Sequence, residues 1–294
     1  MRRIDKILNG IPKEQPLKEN EYINKTDGFI YCSKCNTPKQ MKIEILSKQL
    51  TVPVMCRCRS IEYKKEQEES KKRECMEYIA RLRSSGLHDK ALRDYTFEND
   101  KGYNPEMEKA HKYVEQWDKM KAMSTGLLLW GGTGTGKTFF AGCVANALID
   151  TGVPVLMTNF ARILNSLTNM FSEDRNGFID SLNKYELLII DDLGMERQSE
   201  FALEQVYNVI DSRYRSKRPL IVTTNLTLDE LKNPADISRK RIYDRVLERC
   251  VPLKINNRNI RTMNAAMNFS AAINVKIKVP NCVHVRIPNS YQHK

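Results

Sequence analysis

The run Gly131, Gly132, Thr133, Gly134, Thr135, Gly136, Lys137, Thr138 fits the pattern G-x-x-x-x-G-K-[ST]. It lies between an apolar run, Leu127–Trp130, and a segment with helical spacing, Thr138–Leu148. Glycines let successive backbone N–H groups curl around a polyphosphate, and a helix N-terminus adds its positive dipole end. Lys137 would neutralise the β- and γ-phosphates and Thr138 would offer its hydroxyl to Mg²⁺, so the predicted ligand is a nucleoside triphosphate with its metal. The four fixed positions arise by chance in a chain of this length on the order of 1% of the time. A mere glycine-rich turn is therefore a poor alternative.

Two further strand-like runs end in polar residues. Leu187-Leu188-Ile189-Ile190 closes on Asp191-Asp192, where open α/β sheets place their ligands. Asp191 would complete the Mg²⁺ shell, and Asp192 would orient and polarise the attacking water. The alternative for Asp192 is that it caps the following turn. Leu220-Ile221-Val222-Thr223-Thr224 closes on Asn225, whose amide would reach the γ-phosphate or the water, although a lone Asn says little. Arg239 to Arg249 is helical in pattern, with Ile242, Val246 and either Tyr243 or Leu247 as its apolar stripe. Its arginines then face solvent, and an ordinary basic surface is the competing reading.

A second constellation lies near the N-terminus. Cys32-x-x-Cys35 is followed after twenty residues by Cys56-x-Cys58, two close pairs that can close a tetrahedral Zn²⁺ site without a large core. Unliganded or redox-active thiols are the alternative. Cys75 lies in a charged stretch and is not a proposed ligand.

These residues need elements to hold them. The chain has 294 residues, about twice a usual domain, so a large domain with a smaller module is expected. Residues 1–58 form the predicted zinc module and 59–86, dense in Lys, Arg and Glu, a helical linker. Residues 87–261 form the nucleotide domain, and 262–294 a basic tail with a hairpin pattern at 275–279 and 283–287. In the nucleotide domain, apolar runs at Leu127–Trp130, Val153–Met157, Leu187–Ile190 and Leu220–Thr223 alternate with helical segments Thr138–Leu148, Phe160–Met170 and Glu200–Tyr214. This predicts an α/β fold, a parallel sheet flanked by helices. No apolar run approaches the ~20 residues of a membrane span, and Met1 to Lys6 lacks a secretory apolar region, so no membrane partner and a cytoplasmic location are expected. A net charge of +12 raises the expectation of a polyanionic partner.

Taken together, Gly131–Thr138, Ile190-Asp191-Asp192-Leu193-Gly194, Thr223-Thr224-Asn225 and Ile242-Tyr243-Asp244-Arg245 resemble the AAA+ ATPases of the DnaC/DnaI/IstB group. The likeness runs from about Gly86 to Arg261, with Phe97-Glu98-Asn99 ahead of the core. It implies an AAA+ P-loop fold that binds ATP, with Lys137 and Thr138 as phosphate and metal ligands, Asp191 as the strand acid and Asn225 as sensor 1. It also implies Arg245 as an arginine finger reaching a neighbouring subunit, hence a self-oligomer, and Arg261 as sensor 2. Most AAA+ proteins carry Glu where Asp192 stands, while loaders of this group share the Asp; a slow, switch-like ATPase follows. The resemblance further implies single-stranded DNA binding and delivery of a ring-shaped replicative helicase, a hexamer of the DnaB/DnaC type, to DNA. A cysteine cluster ahead of the core is similar to the zinc module of DnaI-type loaders, which binds the helicase. An IstB-like role in transposition is the nearest alternative. A small-substrate kinase fits Asp191-Asp192, Asn225 and the Arg245 helix badly, and a non-hydrolysing zinc-bearing DNA adaptor is a third reading.

Overall fold

The computed structural model describes residues 17–45, 48–195, 199–234, 236–256 and 260. Arg261 and the predicted hairpin of the tail lie outside the described residues. The chain divides into two compact units at Glu77/Tyr78.

The first unit holds two antiparallel hairpins, β1 (Glu21–Ile23) with β2 (Ile30–Cys32), and β3 (Gln40–Ile45) with β4 (Lys48–Pro53). Helix α1 (Arg57–Gly86) starts directly after Cys56 and covers the charged stretch. Ile61 and Met76 on it are exposed, as a solvated helix requires. Among the described residues up to Glu77, Cys32 and Cys56 alone are buried. These hairpins therefore have no hydrophobic core to hold them, the situation in which small modules depend on a staple.

The second unit is an α/β layer structure. Five parallel strands run in the order β6 (Val155–Asn159), β7 (Leu187–Leu193), β8 (Leu220–Thr224), β5 (Gly126–Trp130), β9 (Cys250–Lys254). Successive side chains of a strand point to opposite faces, so the continuous apolar runs bury both. Leu188, Ile190 and Val222 join one core with Phe160 and Leu167 of α5 (Phe160–Thr168), Val206 and Val209 of α7 (Glu200–Arg215), and Ile242 and Val246 of α9 (Ile237–Arg249). Leu187, Ile189 and Ile221 join the other with Phe140, Val144 and Leu148 of α4 (Lys137–Asp150) and with Ala110 and Tyr113 of α2 (Met107–Glu115). The remaining short helices are α3 (Trp117–Ala122), α6 (Ser172–Leu182) and α8 (Leu228–Lys232).

All four predicted strands and the predicted helices are present, with ends shifted by at most three residues, the largest at β7, which runs on to Leu193. Strand β9 had no counterpart in the sequence reading. On α9 the buried stripe is Ile242, Tyr243 and Val246, which decides for Tyr243 over Leu247. Among the described residues no helix is long and apolar enough to cross a membrane.

The strand order has a direct consequence for the site. Strand β8 lies between β5, which leads into the glycine loop, and β7, which ends in the two acids. Its C-terminal residues therefore face both.

Candidate nucleotide site and cysteine cluster

The loop leaves β5 at Gly131, whose φ is +143° and whose backbone passes so close to the turn after β9 that a Cβ would lie 2.5 Å from the carbonyl oxygen of Ile255. Only glycine fits there. Gly136 is left-handed, with φ +97°, and caps the N-terminus of α4, turning the chain into the helix. Lys137 is 5% exposed, and its ammonium donates to the carbonyls of Gly131 (2.9 Å) and Gly132 (2.7 Å) and to Oδ1 of Asn225 (2.7 Å). Loop residues Thr133 to Gly136, the start of α4 and Lys137 thus line one concavity, an arrangement suited to polyanionic phosphate.

The acids are placed by a bulge. β7 and β8 pair regularly up to Ile190 with Val222 and then shift, so that Leu193 pairs with Thr224 and both Asp191 and Asp192 oppose Thr223. Asp192 takes the left-handed conformation, φ +60°, which Asp tolerates better than most residues. Thr138 Oγ1 lies 3.1 Å from each carboxylate oxygen of Asp191, and the Thr223 hydroxyl donates to Asp191 Oδ1 at 2.6 Å. Burial raises the Asp191 carboxyl above its ordinary range; the Thr223 bond opposes this, Asp192 adds to it, and Thr138 and Lys137 also pull down. A hydroxyl beside a half-buried carboxylate is the oxygen donor set that suits Mg²⁺. The residues predicted for phosphate, metal and sensor, Lys137, Thr138, Asp191 and Asn225, are brought together.

A cavity of about 540 Å³ opens over the loop. It is lined by Thr133 to Phe139, Asp192 and Asn225, by residues of the segment from Asp94 to Asn104, and by Ile260. That segment is pinned by Asn146 of α4, whose side-chain amide donates to the carbonyls of Leu92 (2.8 Å) and Tyr95 (3.0 Å). Tyr95 packs so tightly on Gly142 that a Cβ there would lie 2.6 Å from it.

Arg245 lies away from this cavity. On α9 its guanidinium donates to Asp211 Oδ1 (2.7 Å) and to the Tyr207 hydroxyl (2.8 Å), and it stacks 4.7 Å from the Tyr207 ring. Within one chain it does not meet the phosphate loop.

In the first unit the Sγ atoms of Cys32, Cys35, Cys56 and Cys58 all lie within 4.8 Å of one another. The Cys32–Cys58 separation is 3.6 Å and Cys56–Cys58 is 3.3 Å. Tetrahedral zinc with ~2.3 Å bonds sets sulfurs about 3.8 Å apart, so the cluster fits that ion. Backbone N–H groups of Cys35 and Lys34 lower the Cys32 thiol, and the Thr37 hydroxyl first, then the Cys58 N–H, bring Cys35 down to about 5. Cys58 is pushed up to about 12, chiefly by Cys56 and then Cys35. The group is poised to hold negative charge but cannot ionise fully without a cation.

The family profile of IstB-like ATP binding proteins matches residues 58–267. The chain belongs to this IstB-like ATP-binding family. Among its relatives, the replicative helicase loader DnaC of Escherichia coli K12 is 29% identical over 145 residues, 48% of this chain and 56% of that protein. The phage-like element PBSX protein XkdC of Bacillus subtilis 168 is 29% identical over 150 residues, 49% of this chain and 56% of that protein. The crystal structure of DnaI overlays with a TM-score of 0.48 at 22% identity, covering 58% of this chain and 93% of that one. The chain spans a little over half the length of the curated relatives it matches. In this IstB-like protein the matched residues contain the whole phosphate site and Cys58 but not Cys32, Cys35 or Cys56, so most of the cysteine cluster is an addition to the family core.

Sequence reasoning missed Thr223, which ties both acids to the neighbouring strand, and it missed the cavity wall around Tyr95 and Asn104. Thr223 carried a signal, because it sits one residue before the end of a strand that neighbours the acids. The wall carried a partial one, since Asn99 of the Phe97-Glu98-Asn99 run lines it, but its joining to the loop comes only through tertiary packing.

Proposed function

We propose that this IstB-like ATP-binding protein loads a replicative DNA helicase onto single-stranded DNA, using ATP as a slowly hydrolysed switch. The observation that carries the ATP part is the convergence of Lys137 Nζ, Thr138 Oγ1, Asp191 and Asn225 Oδ1 at one loop. The names of relatives such as DnaC support the helicase part. Lys137 and the loop amides bind the triphosphate. Thr138 and Asp191 would hold Mg²⁺, which when bound draws charge off the β- and γ-phosphates. Asp192 lines the cavity and is the group that orients the attacking water, and Asn225 fixes the γ-phosphate. Arg245 completes a neighbour's site, so the assembled form is an oligomer; Arg261 is the second sensor.

We read residues 1–58 as the helicase-binding module, 59–86 as its helical linker and 87–261 as the ATPase domain. Cys32, Cys35, Cys56 and Cys58 would hold Zn²⁺, which when bound supplies the cross-link that two coreless hairpins need. The charge of +12 suits a DNA partner. The family profile, named for IstB, favours a second reading, an ATPase that regulates transposition.

The test combines the purified full-length chain with a hexameric replicative helicase and a labelled single strand. Helicase retained on DNA only with chain and ATP together, and not with Lys137→Ala, is the expected result. Retention independent of ATP, or retention of a transposase but no helicase, would refute loading.

A further inference from the structure

Asn104 lines the same cavity as the phosphate loop and is only 6% exposed. Its Oδ1 accepts the backbone N–H of Glu106 at 3.0 Å, immediately before α2 begins, and this bond fixes which end of the carboxamide is oxygen. The other end, Nδ2, is buried and has no hydrogen-bond partner among the described residues. Buried amide donors are almost always paired, so one left over at the wall of a ligand cavity marks a place where the ligand supplies the acceptor.

The phosphates are already provided for by the loop and Lys137. The same lining includes Tyr95, Tyr103, Phe139 and Ile260, which offer flat or apolar surface that suits a heterocyclic base. A purine edge carries ring nitrogens that accept hydrogen bonds.

We infer that Asn104 is a specificity-determining residue for the nucleotide, its side-chain N–H donating to a ring nitrogen of the base. The inference rests on the nucleotide-binding reading above and adds to it the group that distinguishes a nucleotide from a bare sugar triphosphate.

Asn104→Asp isolates the donor, because a carboxylate oxygen still accepts from Glu106 while no N–H remains. Binding of Mg²⁺-ATP and of Mg²⁺-ribose 5-triphosphate, which lacks a base, is measured by calorimetry on the full chain and on the variant, each checked by thermal melting. The expected result is a loss of about tenfold or more in ATP affinity, with ribose 5-triphosphate bound equally by both proteins. Unchanged ATP affinity overturns the inference, and so does an equal loss for both ligands, which would place the effect on ribose, phosphate or charge. Should the Asp variant fail to fold, Asn104→Ser, whose hydroxyl also accepts from Glu106 without reaching the base, is read in the same way. Wild-type protein that takes up neither ligand refutes the nucleotide site itself; wild-type binding of ATP matched by the variant refutes the role of Asn104 alone.

Discussion

The hydroxyl of Thr223 donates to Asp191 Oδ1 at 2.6 Å while accepting the backbone N–H of Asp192 at 2.9 Å. One side chain of β8 thereby sets the carboxylate beside Thr138 and the backbone of the residue that follows it. Thr223→Val keeps the shape and removes both bonds, leaving the Asp192 N–H unpaired at a cost of about 1–3 kcal/mol. The Mg²⁺ concentration needed for half-maximal ATP turnover is expected to rise about tenfold, with Thr223→Ser restoring it. A magnesium titration of steady-state turnover checks this, and equal curves for Val and wild type would contradict it.

Asp192 is expected to matter for hydrolysis and not for binding. Asn accepts the left-handed backbone at least as readily as Asp but cannot take up a proton from water. Asp192→Asn should hold ATP as tightly as wild type and release phosphate about a hundredfold more slowly. Asp192→Glu should lower the melting temperature, since a longer side chain at φ +60° adds about 1 kcal/mol of strain. Single-turnover phosphate release and thermal melting read the two effects separately.

Zinc binding should be a proton-releasing event. With Cys58 pushed up to about 12 in the metal-free cluster, its thiol is protonated at neutral pH and must give up that proton to a metal. Affinity therefore falls as pH falls. Adding zinc to chelator-treated protein in weak buffer is expected to acidify the solution, and metal analysis to give one zinc per chain. Cys32→Ser should abolish the stoichiometric zinc and expose amides of the Glu21–Cys32 hairpin to hydrogen exchange. No pH change together with no bound zinc would remove the metal from the account.

Arg213 is a structural group at the strand ends away from the nucleotide site. It is 1% exposed and donates to the carbonyls of Tyr185 (2.9 Å), Glu186 (2.7 Å) and Pro219 (2.7 Å), tying the chain entering β7 to the chain entering β8. Arg213→Leu removes these bonds, leaving only long 3.4 Å bonds from Leu188 N–H to Pro219 and from Arg218 to Tyr185, and should cost about 3 kcal/mol of stability. Lys, a point charge without the guanidinium fork, should not restore it. Denaturant melts read the loss, and ATP affinity of the folded fraction is expected to stay unchanged.

Much of this was legible in the sequence because the signals are local. A parallel strand buried on both faces reads as an unbroken apolar run, which is why Leu187–Ile190 and Leu220–Thr223 were found with their polar ends. The glycine loop and the cysteine pairs are equally local patterns. Strand β9 was not legible, because Cys250-Val251-Pro252-Leu253-Lys254 contains a proline and has three exposed positions, as suits a sheet edge, and mixes the apolar run. Nor was the pairing of Arg245 with Asp211, or of Thr223 with both acids, since those contacts join residues more than thirty positions apart.

The central claim is that the loop from Gly131 to Thr138 takes a nucleoside triphosphate whose metal is shared by Thr138 and Asp191. Equilibrium binding of fluorescent ATP to the full chain, with Mg²⁺ and with chelator, tests it most directly alongside Lys137→Ala and Asp191→Asn. Wild type should bind in both conditions and at least tenfold more tightly with Mg²⁺; Lys137→Ala should not bind, and Asp191→Asn should bind without the Mg²⁺ enhancement. Undiminished binding by Lys137→Ala, or a full Mg²⁺ enhancement in Asp191→Asn, would contradict it.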